Sequence, residues 1–417
     1  MNNNPVPSLR FAGFDGDWEQ RRFSDIAETR RGLTYSPDDV RRSGIRVLRS
    51  SNISEDRFVF GDDDVFVAPE AINIPFAHNG DILITAANGS TRLVGKHAII
   101  KDIAEEPVVH GGFMLLASAE NPDFVNALMS APWYSKFISL YVAGGNGAIG
   151  NLNKNDLDEQ EIAVPDDAEQ KAVGIFFNDL DTLILKHQSQ YERLLQTKKA
   201  MLLKLFPRPG KDAPEIRFAG FNSPWMQRKL GNLVQFSKGS GYSKSDLQKA
   251  GTPIILYGRL YTQYETVITD VDTYADEKFG SVYSRGGDVI VPASGETAED
   301  IAIASVVEQA GVLLGGDLNI ITPPDDIDSA FLAISISNGK PHADMAKMAQ
   351  GKSVVHLHNV DLEKIDLIYP EYDEQVQISA FFRRLDNTIV LHKKRLNVLS
   401  NLKKAMLQKM FPVVGRE

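Results

Sequence analysis

No cysteine occurs among the 417 residues. That excludes disulfides, thiolate metal sites and a cysteine nucleophile, and it is compatible with a cytoplasmic setting. Long apolar runs are missing too. No stretch approaches the ~18 residues that a membrane-spanning helix needs, and the opening MNNNPVPSLR has no apolar segment of the signal-peptide kind. Nor is there an excess of positive charge: the net charge is -10, so any contact with nucleic acid must be local rather than a wrapping of the whole surface. Hydrophobic residues at 43% and charged residues at 24% describe an ordinary globular protein.

The usual marks of catalysis are scarce as well. There is no P-loop, no HExxH and no convincing nucleophile–base pair. Gly145, Gly147 and Gly150 of GGNGAIG fit a pyrophosphate-cradling spacing, but NLNKNDLDEQEIAVP follows instead of an apolar helix. NIPF at Asn73 departs from the (N/D)PP(Y/F) element of methyltransferases. His356 and His358 form an HxH that reads better as a strand with alternating faces than as a metal site. The expectation is a chain that binds and does no chemistry.

What the chain has is repetition. RFAGF stands at Arg10 and again at Arg217, and Trp18 and Trp225 follow at the same spacing. GDILIT at Gly80 matches GDVIVP at Gly287, still at an offset of 207. AEQKAVGIFFNDLDTLILKHQSQYERLLQTKKAMLLKLFP from Ala168 aligns without gaps to DEQVQISAFFRRLDNTIVLHKKRLNVLSNLKKAMLQKMFP from Asp373, with 17 of 40 positions identical. Between these matched parts the interiors, roughly 30–150 and 238–350, share only scattered residues. A tandem duplication with similar frames and different contents is implied, each half large enough for its own core.

The repeated ends read as long helices. Apolar positions recur at alternating steps of three and four: Phe177, Leu180, Ile184, His187, Tyr191, Leu194, Lys198, Met201, Leu205, and Phe382, Leu385, Ile389, His392, Leu396, Leu399, Lys403, Met406, Met410. That is a coiled-coil seam, ended in each copy by the proline after Phe206 and Phe411. About 37 residues at 1.5 Å give a helix of roughly 55 Å. Each helix is the other's natural partner, in antiparallel pairing. Two readings of His187, His392, Lys198 and Lys403 stay open: buried polar groups that fix register, or snorkelling stems and wetted layers.

The interiors read as β-rich. VLRSSNI, RFVF, DILIT and KHAII in the first, and PIILYGRL, ETVIT, DVIVP and IAIASV in the second, have the look of short strands. Helices are expected in PDFVNALMSAPWYSKFISLYV and DSAFLAISISN. The expected fold is α+β: two β-rich domains with short helices, joined by two long helices in an antiparallel coiled coil, as a pseudo-twofold tandem repeat. The boundaries read 1–166, 167–207 (first helix), 208–216 (a Pro/Gly-rich linker), 217–371, 372–412 (second helix) and 413–417 (tail).

One place in each interior is basic and polar. RRGLTYSPDDVRRSGIRVLR carries Arg30, Arg31, Arg41, Arg42, Arg46 and Arg49 against two aspartates, and Ser51 and Asn52 follow. The corresponding stretch, SKGSGYSKSDLQKAGTPIILYGRL, carries Lys238, Lys244, Lys249 and Arg259 with Tyr242 and Tyr257. Arginine suits bidentate pairing with phosphates and guanine edges. The plainer reading of any one of these residues is a solvated, salt-bridged face.

Taken together, the W-x-x-x-[RK]-[LF] opening, the GDIL-like strand, the LNKxDL-x(n)-IxxP lead-in, EQ-x(5)-FF-x-x-LD and the closing KKAML-x-K-x-F, largely repeated in the second half, resemble the specificity subunit of type I restriction-modification systems. The resemblance covers essentially the whole chain. It implies a non-catalytic subunit whose two variable domains are target recognition domains. Each would read one half of a bipartite site in double-stranded DNA. It also implies that the repeated helices space the halves and dock two modification subunits, which hold S-adenosylmethionine and methylate adenine. In that family a nuclease-translocase subunit completes the restriction complex. No cofactor is expected in this chain, and no membrane. The alternatives are a coiled-coil scaffold that binds no DNA and the recognition half of another class of restriction enzyme.

Overall fold

The computed structural model describes residues 6–103, 106–142, 150–208, 210–351 and 354–412. Gly145, Gly147, part of the 208–216 linker and the 413–417 tail lie outside them. The chain divides into two compact units, the first made of 1–188 with 394–417 and the second of 189–393.

In the first unit, one four-stranded sheet runs His97–Ile99, Ile82–Thr85, Met114–Ser118, Glu28–Arg31, and a second runs Val108–His110, Ile45–Leu48, Val65–Val67, Val40–Arg41. Strand Ile82–Thr85 is buried on both faces. Ile82 and Ile84 point into a core with Trp18, Phe124 and Phe177, while Leu83 points into another with Leu48 and Leu116. This explains why the segment is a continuous apolar run instead of an alternating one. In the second unit, Asp288–Pro292 has the same place in a five-stranded sheet, with Val289 and Val291 on one core and Ile290 on the other.

The expected elements are present with local differences. The 122–142 segment is two helices, Pro122–Met129 and Pro132–Tyr141, because Pro132 has no N–H to continue the first. Ser329–Ile336 is a helix whose Asp328 carboxylate accepts from Phe331 N at 2.7 Å. The strand expected through PIILYGRL stops at Ile255, and Gly258–Thr262 is a helical turn. IAIASV starts inside the helix Ala298–Ile301, and only Ser305–Val307 is strand. Met114–Ser118 and Leu318–Thr322, not anticipated from sequence, are interior strands of their sheets.

The long helices are Asp167–Leu205 and Tyr372–Met410, 39 residues each. Each contributes its first half to one unit and its second half to the other. In the first unit Phe411 lies 6.2 Å from Trp18, 6.0 Å from Phe124 and 5.8 Å from Phe177. Eight residues earlier Lys403 pairs with Asp181 at 2.5 Å. One helix ascends in number as the other descends, so the two segments are antiparallel. The second unit repeats this: Phe206 meets Phe331, Phe382 and Trp225 at 5.7, 6.1 and 6.4 Å, and Lys198 pairs with Asp386 at 2.5 Å. The two signature segments are therefore halves of one contact, the lysine of KKAML holding the aspartate of FFxxLD. Every position of the apolar repeat is buried or half-buried, including His187 and His392.

The repeated RFAGF has a physical explanation in each unit. Arg10 donates to both oxygens of Glu169 at 2.8 and 2.6 Å, and Arg217 does the same to Glu374 at 2.9 and 2.6 Å. These hydrogen bonds raise each arginine's pKa. Both glutamates are fully buried at the start of a long helix. Phe11 packs on Phe176 and Phe218 on Phe381, ring centroids 5.6 and 6.1 Å apart. The next turn needs φ of +94° at Gly13 and +98° at Gly220, where other residues would be strained. The neighbouring glutamines also act alike: Gln170 donates to the Pro165 carbonyl and Gln375 to that of Pro370.

Candidate nucleic-acid interface

The basic segments sit on matching strands. Arg31 ends strand Glu28–Arg31 opposite Leu115, and Lys238 ends strand Gln235–Lys238 opposite Asn319. A glycine follows each, and both are required by close approach. A Cβ on Gly32 would lie 2.0 Å from the Gly111 carbonyl oxygen, and one on Gly239 1.9 Å from that of Gly315. The chain then reaches a tight capped turn, in which Ser36 N and Ser243 N donate to the carboxylates of Asp39 and Asp246 at 2.7 and 2.8 Å. That hydrogen bonding pulls the pKa of Asp39 down, as the Lys278 contact and Ser243 do for Asp246.

These features spell a motif that the sequence reading passed over: [RK]-G-x-x-Y-S-x-x-D, from Arg31 to Asp39 and from Lys238 to Asp246, again offset by 207. The signal was legible, but it stands inside interiors that otherwise diverge.

The candidate residues fall into two sets. Several are committed to the fold. Arg30 contacts Asp81 and Ser118 at 3.3 and 3.2 Å. Arg46 pairs with the buried Asp64, and its guanidinium lies 4.5 Å from the Phe60 ring and 4.8 Å from the Phe66 ring. Arg49 donates to the Asp63 carbonyl at 2.6 Å, and Arg259 is held by Asp272 and Glu265 at 2.9 Å each. Asn52 is fully buried and donates to Val59 O and Asp64. Tyr242 is buried, its hydroxyl within 3.1 Å of Asp276 O and accepting from Lys278 N at 2.9 Å. Tyr257 is half-buried, 6.1 Å from Tyr261. Such pairs spend their charge locally and have little left for an anion.

The other set is open to solvent. Arg31, Arg41, Arg42 and Ser51 are exposed in the first unit, as are Lys238, Lys244 and Lys249 in the second. Arg41 folds back onto the carbonyls of Asp38 and Val40, at 2.6 and 3.0 Å. Exposed cations on ordered backbone can pair with phosphates at small conformational cost.

Strands Ala87–Asn88 with Gly150–Asn151, and Ser294–Gly295 with Val355–His356, occupy equivalent places, just after Ile82–Thr85 and Asp288–Pro292. His356 and His358 are exposed on either side of buried Leu357. No group of His, Cys, Asp or Glu suited to a metal occurs among the described residues. Among the same residues, no helix is long and apolar enough to cross a membrane.

The two units are built on one frame, and each presents a different polar, partly basic loop surface. The family model for the type I restriction modification DNA specificity domain matches twice, at 15–196 and 222–401. The chain belongs to that family, as a type I restriction-modification specificity subunit. It is 25% identical over 409 residues to a Methanocaldococcus jannaschii protein assigned as the type I restriction enzyme MjaX specificity subunit, covering 94% of this chain and 92% of that one. The MjaVIII specificity subunit of the same organism is 22% identical over 271 residues, 62% of this chain and 63% of its own. The crystal structure of a type I restriction-modification S subunit from M. genitalium shares the fold, with a TM-score of 0.65 at 14% identity over 98% of this chain and all of that one.

Proposed function

We propose that the domains 1–166 and 217–371 each read one half of a bipartite target in double-stranded DNA. The repeated helices, paired along the seam from Phe177 to Met201 and from Phe382 to Met406, set the spacing of the halves and dock two methyltransferase subunits. The observation that carries this reading is the shared frame. The same strand, glycine contact and capped turn occur in both units, while the residues on the loops differ. Phosphate contacts by the exposed arginines and lysines would position each domain, and polar side chains beside them would specify bases. Half-sites one helical turn apart are about 34 Å from each other, and a 39-residue helix is about 58 Å long.

Docking of the partners is supported by apolar side chains on the outer faces of the long helices. Ile175 and Leu183 are exposed in the first unit and Val376 and Val390 in the second. There Phe218, Ala380 and Phe381 also line a groove of about 510 Å³. S-adenosylmethionine and the adenine chemistry would belong to the docked subunits, and a restriction subunit would join that assembly. With a net charge of -10, the chain by itself binds DNA weakly.

Methylome sequencing of a methylation-deficient host that expresses the chain with its modification subunit tests this reading. A bipartite adenine-methylated motif is expected, and exchanging residues 217–371 should change one half of it. No motif, with the partner bound, would leave a protein-binding scaffold.

A further inference from the structure

Each unit has a corner of three residues, Gly-Gly-X, that links its two sheets: Gly111, Gly112 and Phe113 in the first, Gly315, Gly316 and Asp317 in the second. The corners are equivalent by register. Phe113 stands two residues before Leu115, the partner of Arg31, and Asp317 two residues before Asn319, the partner of Lys238. Their backbones are tied at the same points. Gly111 N donates to Leu48 O and Gly315 N to Ile255 O, both at 2.9 Å. Ala86 N donates to Phe113 O at 2.9 Å and Ala293 N to Asp317 O at 2.7 Å.

On this held frame both side chains stand open to solvent. Phe113 is 70% exposed, next to buried Met114 and two residues after buried Gly111. Asp317 is exposed, and among the described residues its carboxylate has no hydrogen bond or ion pair. It also holds φ at +57°, a conformation that Asp tolerates better than most residues.

We propose that the third residue of each corner reads one base pair of its half-site, Phe113 by apolar contact with a thymine methyl group and Asp317 by accepting a hydrogen bond from a cytosine amino group. The proposal rests on the DNA-reading assignment above. The exposed cations next to the corners, Arg31 and Lys238, suit phosphates, which sets the corners against base edges. A carboxylate is repelled by phosphates, so its favourable partner on DNA is an amino group, and the cytosine N4 amine presents one in the major groove. A phenyl ring on ordered backbone has no polar atom to offer, and the thymine methyl is the apolar feature of that groove. Both side chains are already presented, so contact costs little ordering.

The test uses the chain in complex with its modification partner, on duplex panels that vary each position of the wild-type motif. Phe113→Ala should relax preference for one T·A pair in one half about tenfold and leave the other half unchanged. Asp317→Asn, which keeps the shape and tolerates the left-handed backbone, should relax one C·G pair in the other half by a similar factor. Thermal melting of both variants should match the parent. Unchanged preferences at every position, or an equal slowing on all sequences, would overturn the proposal. A wild-type complex that yields no bipartite motif would overturn the parent reading, and that result precedes any variant.

Discussion

The first unit hides two histidines where the second has hydrocarbon. His110 stands at the corner position of Leu314, and His97 at the strand position of Ala304. The tryptophans differ as well. Trp18 Nε1 donates to Glu169 at 3.1 Å, whereas Trp225 Nε1 is buried with no hydrogen bond among the described residues. The backbone frame thus tolerates changes of polarity at points that it covers completely. Specificity can diverge on such a scaffold without the frame having to be rebuilt. The difference also makes the two units distinguishable by experiment, since Trp225 is the second unit's sole tryptophan and Trp18 and Trp133 belong to the first.

The largest contrast should come from the phenylalanines that close each unit. Phe411 is 2% exposed among Trp18, Phe124 and Phe177, while Phe206 is only half-buried. Phe411→Ala should destabilise the first unit by about 3–5 kcal/mol, and Phe206→Ala the second by about 2. Urea unfolding followed through each unit's tryptophans checks this. Equal losses would mean that the two cores are closed equally well.

Next come the arginine clamps. Without Arg217, Glu374 is a buried carboxylate with no other side-chain partner among the described residues, so Arg217→Ala should cost about 3 kcal/mol. Arg10→Ala leaves Glu169 the Trp18 N–H, and a loss nearer 2 kcal/mol is expected. Substituting Trp18 with Phe in the Arg10→Ala background should erase that difference. If it does not, the indole hydrogen bond contributes nothing to the clamp.

Acid should also separate the units. Burial holds His110 near a pKa of about 4, and Nε2 donates to Arg30 O at 3.2 Å, so the folded unit keeps the ring neutral. An unfolded histidine titrates near ~6.5. Between the two values the unfolded chain takes up a proton that the folded one refuses, so stability is present above about 6.5 and falls as pH drops toward 4. From pH 7 to pH 5 the cost is about 2 kcal/mol. Burial lowers the pKa of His97 in the same direction. His110→Leu, which borrows the second unit's residue, should flatten the first unit's acid sensitivity and leave the second unit's denaturation profile alone.

What the sequence made legible follows from how local each signal is. The long helices announce themselves through nine seam positions in each copy, because 3.6-residue periodicity accumulates over about eight turns. The doubly buried DILIT and DVIVP strands are legible as short apolar runs. Met114–Ser118 escaped notice because four apolar residues and a serine carry no period that separates strand from helix, and its counterpart LNIIT shares no residue with it at any matched position. Beyond the motif shared from Arg31 to Asp39 and from Lys238 to Asp246, the candidate interface was legible only as a count of positive charges. Which of them stay free depends on aspartates 14 to 51 positions away, as with Arg49 and Asp63 or Arg30 and Asp81, and such pairing becomes visible only in three dimensions.

The smallest contrast lies in the lysine–aspartate pairs of the long helices. Asp386 also accepts from Thr266 Oγ1 at 3.1 Å, while Asp181 has Lys403 as its side-chain ion-pair partner, and both lysines are about three-quarters buried. A pair tied into a network holds its geometry at less entropic cost than an isolated one. Lys198→Met should therefore cost the second unit about 1 kcal/mol and Lys403→Met the first about 0.5. Their place on the seam gives these pairs a second role, since an ion pair is satisfied in one register and broken in a neighbouring one. Exchanging the charges, Lys403→Asp with Asp181→Lys, should then recover most of what either single change loses, as read from the first unit's unfolding midpoint. If the exchange fails to recover it, the lysines act through their buried stems, and register is held by the phenylalanines at the helix ends.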